Sequence, residues 1–122
     1  VSKDKEAQNI GLFGGTFDPV HQGHLSVALS VIDRYLLDNV IFIPAAFPPH
    51  KQPPAASYVH RVAMLELALA GQPRLSISLL EAERQSPSYT LDTLKELGKR
   101  LGQRNFYLII GADSFSQLHL WY

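Results

Sequence analysis

The stretch IGLFGGTFDPVHQGHLSVALSVIDRYLLDNVIFIP, residues 10–44, decides the fold. It opens with an apolar run, Ile10–Gly14, and passes through a loop punctuated by glycine and proline. It then enters a segment where Leu25, Ala28, Leu29, Ile32 and Leu36 fall on one helical face. Asp38 and Asn39 are expected to stop that helix, and VIFIP at 40–44 follows as a second strand. An apolar run without alternation suits a strand buried on both faces, as in a parallel sheet. Strand, loop, helix and strand form the unit from which such sheets are built.

The remaining pattern repeats that unit. Leu75–Leu79 and Phe106–Gly111 read as further strands. Ser57 is placed to cap a helix in which Val62, Leu65 and Leu69 share a face, with Gly71 ending it. Thr90 or Ser88 is placed to cap a third, with Leu91, Leu94, Leu97 and Leu101 inward and Gly102 after it. A fourth, short helix is expected after Gly111, with Asp113 in its first turn. The order β-α-β-α-β-α-β-α predicts an α/β domain over residues 10–122, an open, mainly parallel, Rossmann-like sheet with flanking helices. Residues 1–9 are expected to form a polar tail. The stretch PAAFPPHKQPPAAS, residues 44–57, carries five prolines and predicts a surface loop.

Composition narrows the function classes. The 122 residues are 46% hydrophobic and 18% charged, a balance that suits a single soluble domain. Eleven basic and eleven acidic residues give zero net charge, which argues against a broad nucleic-acid binder while leaving room for a pocket for one small anion. The absence of cysteine excludes disulfides, thiolate metal sites and cysteine nucleophiles, and suggests a reducing, cytoplasmic setting. VSKDKEAQN at the start lacks the apolar core of a signal peptide, and no apolar run approaches the ~20 residues of a membrane span. Apolar residues run into the terminus at LHLWY, which reads as the interior of a longer chain.

Open α/β sheets bind ligands beyond the carboxyl ends of their strands, so the residues there are the candidates. After the first strand come Gly14, Gly15, Thr16, His21 and His24. After the second come His50 and Lys51; after the third, Tyr89 and Thr90; after the fourth, Gly111 and Asp113. Glycines, hydroxyls, histidines and a lysine on one rim suit phosphate. The glycine pair permits close backbone approach, and a helix start after Gly23 attracts anions. Neither G-x-x-x-x-G-K-[ST] nor G-x-G-x-x-G is present. A zinc site from His21, His24 and His50 lacks an evident acidic or cysteine ligand beside it, and no protein metal site is expected.

GGTFDPVHQGH, residues 14–24, resembles the signature loop of nucleotidyltransferases with an H-x-G-H motif, here His21-Gln22-Gly23-His24. PPHK at 48–51, HRVAMLELAL at 60–69, SPSYTLDTL at 86–94 and IIGADSFSQLHLWY at 109–122 are similar, in that order, to bacterial-type nicotinate-nucleotide adenylyltransferases. The likeness runs from Ile10 to Tyr122. It implies transfer of AMP from ATP to nicotinate mononucleotide, with Mg²⁺ accompanying ATP. The family continues past the tryptophan-tyrosine pair with a further strand and a serine-threonine loop leading to an arginine. A catalytically incomplete nucleotide-binding portion is therefore the alternative, and a sister enzyme such as phosphopantetheine adenylyltransferase is disfavoured by SPSYTLDTL and the closing Trp121-Tyr122.

By this resemblance His21 and His24 hold the ATP phosphates, and His24 meets the charge that develops in the transition state. The Gly14, Gly15 and Phe17 backbone and Thr16 line the nucleotide, Lys51 and His50 reach in from the proline-rich loop, and Gly111 and Asp113 contact the nucleotide portion. Tyr89, Thr90, Trp121 and Tyr122 form the nicotinate site. The attacking phosphate monoester has a second pKa near ~6, so it needs no general base, and the expected task is positioning and charge stabilisation. A bound triphosphate would favour the imidazolium form of the pair.

Overall fold

The computed structural model describes residues 8–46, 56–80, 96, 99 and 104–109. Four strands, β1 (Gln8–Gly15), β2 (Asn39–Pro44), β3 (Leu75–Ile77) and β4 (Arg104–Ile109), form one parallel sheet in the order β3-β2-β1-β4. Helix α1 (Gln22–Tyr35) joins β1 to β2, and α2 (Tyr58–Leu69) joins β2 to β3. Glu96 and Lys99 are helical as well. The predicted third helix otherwise lies outside the described residues, as does the fourth.

The apolar runs become central strands for the expected reason. Along β1 the side chains alternate between two cores. Phe13 joins Ala28 and Ile32 of α1, Leu65 and Leu69 of α2, and Phe42 of β2 on one face. Ile10 and Leu12 join Ile43 and Leu80 on the other. Two crossovers stepping the same way along a sheet place their helices on the same face when both are right-handed, and α1 and α2 share the first core. Each fully buried Leu, Ile or Phe contributes about 1.5–3 kcal/mol, so these two clusters account for much of the fold's stability. Gly11 is where Leu37, Val40 and Ile109 press closest on β1; a Cβ there would lie 3.0–3.1 Å from their side chains.

Several boundaries differ from the sequence expectation. Gln8 and Asn9 belong to β1, paired with Arg104 and Asn105, rather than to the tail. Helix α1 ends before Asp38-Asn39, at Leu36, which takes a left-handed conformation (φ 55°) and is 78% exposed instead of inward. That reversal delivers the next residue, Leu37, into the core, with its N–H donating to the Ile32 carbonyl at 3.0 Å. Asp38 ties β2 to β1: its N–H donates to the Asn9 carbonyl and its carboxylate accepts from the Asn9 N–H, both at 2.7 Å. Helix α2 ends at Leu69, with Gly71 (φ 81°) in the turn that follows. Strand β3 stops at Ile77, leaving Leu79 exposed.

Candidate active site

In a parallel sheet all carboxyl ends lie at one edge, so Gly15 and Pro44, which are register partners, deliver the β1–α1 and β2–α2 connections side by side. The Ala45 N–H extends the pairing by donating to the Gly15 carbonyl at 2.8 Å. At the same edge a Cβ on Gly14 would meet nothing within 4 Å, so the backbone there faces open space. A Cβ on Gly15 would lie 3.3 Å from the Phe17 ring.

His21 is the N-cap of α1, and its Nδ1 accepts the Gly23 N–H at 3.0 Å. His24, at the third helical position, returns the contact: its Nδ1 accepts the His21 N–H at 3.0 Å. A backbone N–H can only donate, so each Nδ1 presents its lone pair and the proton of each neutral ring sits on Nε2. The two rings stack 3.9 Å apart between centroids. Protonating either Nδ1 would set two donors against each other and open a cap contact, so this geometry opposes the imidazolium form that the sequence reading expected of the pair. No acidic residue occupies the first turn of α1, so the positive end of its dipole is not offset there.

The pair rests on an aromatic floor. Phe13 and Phe17 meet the His24 ring edge-on at 5.9 and 5.0 Å. Phe17 is buried although its backbone is left-handed (φ 51°), an uncommon conformation for a bulky non-glycine residue that persists only when its surroundings hold it. The crowding that keeps Gly23 a glycine comes from the same cluster. A Cβ there would fall 2.8 Å from Cε1 of His21. Gly23 thus sits inside the first turn of α1 rather than leading into it, and its role is to leave room for the imidazole.

Sequence reasoning missed Arg61. It is 2% exposed, beneath the two connections. Its Nη1 donates to the carbonyls of Thr16 and Ala45, both at 2.8 Å, and its Nε to that of Ala56 at 3.1 Å. Burial pushes the guanidinium pKa below its usual value, and the nearby Asp18 and Tyr58 pull it back up. Asp18 lies in the cis Asp18–Pro19 unit, and its Oδ1 accepts the Ala56 N–H at 3.0 Å. The available signal was the spacing of Arg61, Leu65 and Leu69, which puts an arginine on the apolar stripe of α2.

Among the predicted site residues the structure thus brings together Gly14, Gly15, Thr16, Phe17, His21 and His24. His50, Lys51, Tyr89, Thr90, Gly111, Asp113, Trp121 and Tyr122 lie outside the described residues. His60, in the first turn of α2, is exposed.

The family model described as cytidylyltransferase-like matches residues 12–122. This chain belongs to the cytidylyltransferase-like family. It is 45% identical over 116 residues to the nicotinate-nucleotide adenylyltransferase of Bacillus subtilis, covering 94% of this chain and 61% of that protein. It is 47% identical over 114 residues to a Geobacillus thermodenitrificans protein named "Probable nicotinate-nucleotide adenylyltransferase", covering 93% and 53%. The chain therefore spans a little over half the length of these relatives. In fold it matches the Plasmodium falciparum nicotinic acid mononucleotide adenylyltransferase complexed with NaAD, with a TM-score of 0.80 at 20% identity over 94% of this chain and 57% of that one. Among the described residues no helix is long and apolar enough to cross a membrane.

Proposed function

We propose that this cytidylyltransferase-like chain carries the nucleotide site of a cytoplasmic enzyme of NAD biosynthesis. The enzyme transfers AMP from ATP to nicotinate mononucleotide, giving nicotinate adenine dinucleotide and pyrophosphate. The observation that carries this reading is the reciprocal histidine cap. Two imidazoles are fixed through Nδ1 to backbone N–H groups, so both direct their protons from Nε2. Fixed donors beside an uncompensated helix start suit a chain of phosphate oxygens. The names of the two bacterial relatives support the choice of acceptor.

In the proposed reaction a phosphate oxygen of nicotinate mononucleotide forms a bond to the α-phosphorus of ATP. The bond from that phosphorus to the bridging oxygen breaks, and pyrophosphate departs with the electron pair. The nucleophile is already ionised near neutral pH, so neither histidine has to remove a proton. Their Nε2–H groups instead hold the triphosphate in line and stabilise the charge that gathers on the leaving group. The Gly14, Gly15 and Phe17 backbone and Thr16 line the nucleotide, with His50, Lys51, Gly111 and Asp113 completing its contacts. Tyr89, Thr90, Trp121 and Tyr122 hold the nicotinate. The proposed Mg²⁺ would be held by the ATP phosphates and water, where it would neutralise charge.

The test is pyrophosphate release with ATP, Mg²⁺ and a panel of acceptors. Turnover confined to nicotinate mononucleotide is expected, and turnover with phosphopantetheine alone would overturn the reading. A second reading, a nucleotide-binding portion whose turnover requires further sequence, is motivated by the 53–61% of the relatives' length that the chain spans. Calorimetric titration of the 122-residue chain with ATP separates the two, since binding without turnover supports the second.

A further inference from the structure

A buried arginine held by three carbonyls and, among the described residues, by no directly bonded carboxylate is an expensive way to fill a core. An apolar side chain of similar volume is often as stabilising as a buried charge. Arg61 therefore asks for a role that only a cation can serve, and the peptide units it holds suggest one. The C=O and N–H of a trans peptide point in opposite directions. With the Thr16 and Ala45 carbonyls drawn onto Nη1 at 2.8 Å, the N–H groups of Phe17 and Ala46 point away from the guanidinium. Each amide dipole lies with its negative end on a cation, which increases the positive charge shown at its N–H end.

We propose that Arg61 is a positioning residue of the phosphate site: it fixes and polarises the Thr16–Phe17 and Ala45–Ala46 peptide units so that the Phe17 and Ala46 N–H groups bind phosphate oxygen. The inference rests on the reading of this edge as a phosphate site; it assigns the Phe17 N–H, already placed along the nucleotide, to a phosphate oxygen and adds the Ala46 N–H as a new donor. Arg61 touches no substrate; it acts through the two loops. The geometry is self-supporting. Phe17, left-handed and buried, stands between the Thr16 carbonyl that Arg61 grips and Asp18, whose carboxylate grips the Ala56 N–H. Arg61 also holds the Ala56 carbonyl, so guanidinium and carboxylate close a clasp across both loops. The Phe17 ring in turn supports His24. One cation thereby sets two donors and the floor beneath a third.

The experiment uses the 122-residue chain with inorganic tripolyphosphate as the probe, read by amide NMR and calorimetry. In the unmodified chain, tripolyphosphate is expected to move the Phe17 and Ala46 amide protons downfield. Arg61→Lys keeps a charge but cannot hold three carbonyls at once. It is expected to bind tripolyphosphate on the order of tenfold more weakly and to lose both amide shifts while melting as a folded protein. Unmoved Phe17 and Ala46 amides at saturating tripolyphosphate, no tripolyphosphate binding by the unmodified chain, or unchanged affinity in Arg61→Lys would each overturn the proposal. Should Arg61→Lys fail to fold, Arg61→Gln, which keeps two N–H donors but no charge, is read in the same titration, and unchanged affinity with both amide shifts retained there would overturn the proposal. Tripolyphosphate bound with both amide shifts, but no dinucleotide formed from nicotinate mononucleotide, would remove the assigned acceptor and leave the role of Arg61 standing.

Discussion

Helices α1 and α2 both start after the carboxyl end of a central strand, and both carry a histidine at the third helical position, yet the two starts are built differently. At α2 the cap is Ser57, whose Oγ accepts the His60 N–H at 3.3 Å, and the exposed His60 takes part through its backbone alone. At α1 the cap is His21, and the third residue, His24, turns its ring back onto the cap's own N–H. Serine is among the favoured caps and histidine is not. The α2 start is what helix stability asks for. The α1 start spends two imidazoles where one hydroxyl would do, and the gain is a pair of Nε2–H groups fixed in one place.

Substitutions can break that comparison. The largest effect is expected for His24→Ala, with turnover down about a hundredfold or more if the ring meets the developing charge and stability down by only about 1 kcal/mol; pyrophosphate release set against thermal melting checks both. His21→Ser should come next. It converts the α1 cap to the α2 type, so stability should hold or rise while tripolyphosphate affinity falls roughly tenfold; retained affinity would reduce His21 to a cap. Gly23→Ala sharpens the point, because the added Cβ meets the end of a side chain rather than backbone. The His21 ring should swing aside, lowering turnover severalfold with melting unchanged. Ser57→Ala should show the smallest functional effect, costing about 1 kcal/mol of stability with phosphate affinity unchanged in titration.

Much of this was legible in the sequence because it rests on short-range rules. Unalternated apolar runs gave β1, β2 and their parallel pairing, and the helical spacing of Ala28 and Ile32 gave the face that α1 buries. The glycines and histidines of residues 14–24 identified the site edge. What stayed hidden depends on contacts between distant residues. Leu36 was read as inward because its spacing fits the apolar face; the left-handed reversal that exposes it is driven by the burial of Leu37 and by Asp38 closing onto Asn9. Arg61 was passed over because charged residues are seldom buried. Its partners are carbonyls of residues 16, 45 and 56, which carry no side-chain signature. Gly23 was expected to lead into the helix, while its real constraint, the His21 ring, appears only once the cap is formed.

The central claim is that the histidine pair is held as two Nε2–H donors for a triphosphate. Histidine-selective ¹⁵N NMR of the chain, recorded with and without ATP, tests it most directly. The account predicts unprotonated Nδ1 and protonated Nε2 in both His21 and His24, with ATP moving those Nε2–H signals and leaving His60 in place. A proton on Nδ1 of either ring, or a response of His60 as large as that of the pair, would contradict it.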